Sequence, residues 1–109
     1  MSPEVKQLSD TLDVLRAKLI SMPRTSDGFG EMRALYNELT SALIDVGDKA
    51  DQVIAEEVAK VSKEVVDEWQ SNKDKLGGWM DVLRPIVGAV GAVTKIASLG
   101  NPLTLLLAA

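Results

Sequence analysis

Side-chain chemistry in this chain would have to run on carboxylates: sixteen Asp and Glu are present, with no His and no Cys. A nucleophilic triad needs a His or a substitute base beside a Ser or Cys, and neither His nor Cys is available here. Zinc sites and the Glu-x-x-His di-iron pattern fail for the same reason. Carboxylate pairs remain for acid–base work, and the nearest in sequence are Glu56-Glu57 and Asp67-Glu68. Adjacent helical residues point to different faces, so neither pair converges on one proton. Asp48 and Asp51 lack the spacing of a calcium loop. Gly28 and Gly30 follow no strand, so they read as loop glycines and not as a phosphate cradle. The expectation is a protein that is not an enzyme, with no cofactor, no metal and no small-molecule substrate.

With catalysis set aside, the distribution of charge carries the most information. The formal net charge is -4, and an acidic surface repels phosphates, so no nucleic-acid partner is expected. Fifteen of the sixteen acids and ten of the twelve bases precede residue 76. Only Asp81, Arg84 and Lys95 follow. The sequence therefore divides into a charged amphipathic body, residues 1–75, and an apolar segment, residues 76–109, within a single helical domain spanning 1–109.

The elements that position these residues are helical. Ser2-Pro3 reads as an N-cap followed by proline at the first helical position. Val5, Leu8, Leu12, Leu15, Leu19 and Met22 then repeat at intervals of three and four, and Pro23 ends the pattern. That stripe fits one wall of an intramolecular bundle, and also a coiled-coil seam between copies. A second helix is expected to start near Ser26 or Asp27, with Met32, Leu35, Leu39, Ala42 and Val46 on one face. Gly47-Asp48 can end it, or can sit within one long helix over residues 28–71, because a lone glycine costs only ~1 kcal/mol. Ile54, Val58, Val61, Val65 and Trp69 form the next stripe, and Gly77-Gly78 reads as a stop. No stretch alternates with period two, so strands are not expected. The fold predicted is all-α, an antiparallel bundle of about four helices with a short helix at the C-terminal end.

The apolar segment opens at Trp79. Leu83, Ile86, Val87, Val90, Val93 and Ile96 form a broad face, with Pro85 accommodated in the first turns and Gly100-Asn101-Pro102 as stop and restart. Gly88 and Ala92 are four apart, flanking Gly91, and small residues at that spacing let two backbones approach closely. Lys95 interrupts an otherwise uncharged span of membrane length, at ~2.5–3.5 kcal/mol on insertion scales. Trp79 stands where an interfacial anchor would. These residues are the candidates for self-association or membrane contact.

The run Asp67-Glu68-Trp69, Lys75-Leu76 and Trp79-Met80-Asp81-Val82-Leu83-Arg84-Pro85-Ile86-Val87 resembles the helical N-terminal domains of fungal NLR-like (STAND) receptors, of the Goodbye and HeLo-like kind. The resemblance covers residues 65–106, with Gly100 to Leu106 matching an apolar, proline-containing segment. It implies a helical bundle that oligomerises on signal and perturbs membranes.

The function expected is a non-catalytic interaction module that self-associates through its apolar C-terminal helix, with a homo-oligomer as the first partner and a membrane or protein as the second. A filament, shell or secretion-apparatus subunit is the first alternative, and a soluble bundle binding one protein through the acidic face of residues 45–68 is the other. The N-terminal residues lack the basic and apolar regions of a signal peptide. A cytoplasmic location is therefore expected, with membrane association as its variant.

Overall fold

Ser2 caps the first helix as its type predicts: its hydroxyl accepts from the Val5 amide at 3.2 Å, and Pro3 occupies the first turn. Helix α1 runs Pro3–Ser21 and stops because Met22 precedes a proline and is extended, φ -106° and ψ 149°. Helices α2 (Phe29–Val46), α3 (Asp51–Trp69) and α4 (Met80–Lys95) follow, with a 3-10 helical stretch, Gln70–Trp79, leading into α4. The computed structural model describes residues 2–46 and 50–104, with the backbone alone for Asp45, Val46, Asn72 and Lys73. Among the described residues there is no strand.

The four helices form an antiparallel bundle in which each packs on its neighbours in sequence and α4 closes the ring against α1. Helices α2 and α3 pair side by side, which rules out the single long helix over 28–71. Helix α3 begins after an extended Ala50, φ -57° and ψ 146°. Gly47 and Asp48 lie outside the described residues, as does most of the expected short C-terminal helix, residues 105–109.

Three further boundaries differ from the sequence expectation. Helix α2 starts at Phe29, two residues after Asp27, because Gly28 takes φ +81°. A side chain there would meet the Lys75 carbonyl oxygen at 2.6 Å and the Trp79 ring at 3.0 Å, so glycine is required twice over. Gly77-Gly78 does not open the chain into coil. Leu76 and Trp79 are both buried, and a three-residue period brings them to one face, which a 3-10 turn provides. Helix α4 ends at a Schellman motif centred on Ser98, not at Gly100. The Leu99 amide donates to the Thr94 carbonyl and the Ser98 amide to the Lys95 carbonyl, both at 3.0 Å, with Ser98 at φ 56°.

A non-glycine residue in that left-handed position costs about 1 kcal/mol. Ser98→Gly is therefore expected to raise stability by about that amount, roughly 4 °C in melting temperature. A thermal melt checks it, and a lowered melting point would mean that Ser98 makes a contact the backbone argument omits.

Candidate interaction surface

Helix α4 carries most of the candidate residues, and the fold divides them between two faces. Leu83, Ile86, Val87, Val90 and Val93 are buried against α1 and α3, together with Val82, Ala89 and Thr94. Pro85 is the sixth residue of the helix and is exposed, so the missing amide leaves its unpaired carbonyl open to water. Thr94 is fully buried, and its hydroxyl is satisfied by the Val90 carbonyl at 2.9 Å. The stripe of α1 meets this inner face: Val5, Leu8, Leu12 and Leu15 are buried, and Leu19 and Met22 are half-buried against the same core. The repeat is thus satisfied inside one chain.

Trp79 stands at the entrance to α4 and is 1% exposed. Its Nε1–H donates to the Asp27 carbonyl at 2.7 Å, and Phe29 meets its ring edge-on at 6.3 Å. The Lys18 ammonium lies 5.0 Å from the ring centre and donates to the Gly78 carbonyl at 2.6 Å and to Asp81 Oδ1 at 2.7 Å. That hydrogen bond is the main reason the Asp81 carboxyl is held below its ordinary value. Asp81 is solvent-exposed, so the pair adds little to stability. This clasp joins α1, the turn before α2 and the start of α4. Sequence reading took Trp79 as the start of the apolar segment and could not see Lys18, 61 residues earlier in the chain, against its ring.

The outer face of α4 is different in kind. Gly88 is exposed, with open space where a Cβ would stand. Ala92 is half-buried, Ile96 is 37% exposed and Leu99 is 38% exposed. These four border an open groove of about 790 Å³, whose charged lining residues are Glu4 and Lys95. Gly91 faces the chain itself: a Cβ there would come within 2.9 Å of Asn101 Nδ2. Asn101 donates to the Val87 carbonyl at 2.8 Å and accepts from the Leu103 amide at 3.1 Å, which docks a fully buried Leu103 on the bundle. The Asn-Pro pair was the sequence signal for this turn.

No family model, curated protein or solved structure matches the chain. Among the described residues no cluster of three or more Asp or Glu is arranged to hold a metal ion. Glu57 and Glu68 line two separate grooves between α2 and α3, and Glu56, Asp67 and Glu68 are all exposed. One helical stretch, Asp74–Lys95, is long and apolar enough to cross a membrane by length and composition, and 50% of its most apolar window is buried.

Proposed function

We propose that this protein is a non-catalytic helical interaction module that self-associates through the outer face of α4. The observation that carries this reading is the groove of about 790 Å³ beside an exposed Gly88. Along it the α4 backbone is uncovered at Gly88 and flanked by Ala92, Ile96 and Leu99, so a second helix can approach closely. The groove offers one charge of each sign, Glu4 and Lys95. A two-fold contact sets a surface against its own copy, and a face carrying both signs suits that arrangement.

Energetics favour the outer face over release of the inner one. Six large apolar side chains of α4 (Val82, Leu83, Ile86, Val87, Val90 and Val93) are buried. At ~1.5–3 kcal/mol each, exposing them costs about 9–18 kcal/mol. A domain of this size is stable by only ~5–15 kcal/mol in total. Release of α4 into water would therefore dismantle the bundle, and release into lipid would still uncover the apolar sides of α1 and α3 that face it. The likeness of residues 65–106 to Goodbye and HeLo-like domains supports assembly, whereas the membrane perturbation it also implies runs against this energetic argument.

Light scattering coupled to size-exclusion chromatography, with and without liposomes, tests the reading. The wild-type chain is expected to run as an oligomer without lipid. Gly88→Leu fills the groove floor at an exposed helical site, where leucine is the better helix former by ~0.8–1 kcal/mol. It should shift the species to monomer without lowering the melting temperature. An oligomer unchanged by Gly88→Leu would overturn the proposed contact. A chain that is monomeric throughout would leave a soluble module for a different protein partner, and assembly only on vesicles would favour membrane action.

A further inference from the structure

The outward side of the α2–α3 pair carries a second feature, independent of the α4 groove. Two shallow grooves lie between these helices. The smaller, about 150 Å³, is lined by Glu31 of α2 and Glu68 of α3. The larger, about 270 Å³, is lined by Glu38 of α2 and by Glu57 and Glu64 of α3. Glu31 and Glu38 are seven apart, as are Glu57 and Glu64, so each set follows one helical face. No Lys or Arg lines either groove. The cations of the two helices stand elsewhere: Lys63 lines the groove toward Leu99 and Gly100, while Arg33 and Lys60 are exposed. Among the described residues the one salt bridge is Lys18–Asp81, and it involves no glutamate of this row. Glu38 is the critical member. Its Oε2 is cut off from solvent and has no hydrogen-bond partner.

We propose that the α2–α3 seam is an acid-tightened joint, in which Glu38, with a sealed and unpartnered carboxylate oxygen set beside the glutamates of α3, loosens the packing of the two helices when ionised and ceases to do so when protonated. Glu38 is half-buried, and a carboxylate with one oxygen withdrawn from water and unpartnered is less favourable when ionised than when neutral. Consistent with this, the Glu38 carboxyl is raised above its ordinary value, by burial first and then by the charges of Glu68 and Glu64. The fold therefore holds this proton more tightly than the unfolded chain does. Its stabilisation is complete below the ordinary glutamate range and is lost as pH rises through the elevated value. Asp81 behaves oppositely: it is lowered, so the Lys18 clasp is intact above the ordinary aspartate value of 3.8 and is lost as pH falls through the depressed one. Mild acid therefore tightens the seam before the clasp opens.

The test is the melting temperature of the intact chain at about pH 7.5 and about pH 5, combined with amide exchange in residues 31–42 and 57–68. The melting temperature is expected to be about 2–4 °C higher at the lower pH, with slower exchange in both segments. Glu38→Gln should raise the value at pH 7.5 and remove most of the difference. Glu64→Gln should do the same to a lesser extent, and serves if Glu38→Gln fails to fold. Asp10→Asn changes net charge equally from the exposed side of α1 and should leave the difference intact. A melting temperature that falls toward pH 5, or an Asp10→Asn effect equal to that of Glu38→Gln, would overturn the proposal. The second result would assign the pH response to net charge alone.

Discussion

Val90→Asp is expected to leave the protein unfolded at room temperature. Val90 is 0% exposed, on the inner face of α4, one turn before a buried Thr94 whose hydroxyl its carbonyl accepts. The substitution removes ~1.5–3 kcal/mol of apolar burial. It also places a carboxylate where no cation stands, at an effective penalty of several kcal/mol more. Together these match the lower part of the ~5–15 kcal/mol that a domain of this size commands. Circular dichroism with urea titration reads the outcome. A variant that melts like the wild type but no longer binds vesicles would place Val90 against lipid and not in the core.

Trp79→Ala is expected to produce the next largest loss, about 3–5 kcal/mol. The ring is buried among Phe29, Gly28 and Lys18, and its Nε1–H donates to the Asp27 carbonyl. Removing it uncovers the start of α2 and the 3-10 stretch together, because both rest on the same ring. Trp79→Phe keeps most of the apolar contact but leaves the Asp27 carbonyl without its donor, so an intermediate loss of about 1–2 kcal/mol is expected. Urea unfolding followed through the remaining Trp69 separates the three proteins. Equal stability of the Phe and wild-type chains would show that the Asp27 hydrogen bond contributes nothing net.

The elements that were legible from sequence are those set by local rules. Ser2, Pro3 and the Met22-Pro23 pair bound α1 through capping and proline sterics, and its apolar period identified the buried side. The elements that were not legible depend on contacts distant in sequence. Ser26 and Asp27 look like helix caps, yet α2 waits for Phe29 because Gly28 takes φ +81° against the ring of Trp79, which the Asp27 carbonyl holds from 52 residues away. Gly77-Gly78 reads as a break, yet burial of Leu76 and Trp79 three apart keeps the chain helical in a tighter form. Gly100 reads as the stop for α4, but Ser98 takes the left-handed position first.

The candidate surface was legible as a helix but not as a pair of faces. Gly88, Gly91 and Ala92 have no side chain whose polarity could mark them inside or outside. Only the fold shows Gly88 open, Gly91 covered by Asn101 and Ala92 half-buried between. The row of glutamates between α2 and α3 was visible as acidity but not as a seam, because two helices contribute to it and their register is a tertiary fact.

The dependence of the whole fold on α4 can be measured in one experiment, native-state amide exchange of residues 83–94 in the intact protein. If the apolar side of this helix is the bundle's own interior, these amides exchange only through global unfolding, with a protection free energy equal to that from urea titration. Exchange several kcal/mol easier than global unfolding, restored by adding vesicles, would contradict the account and place the helix at a membrane.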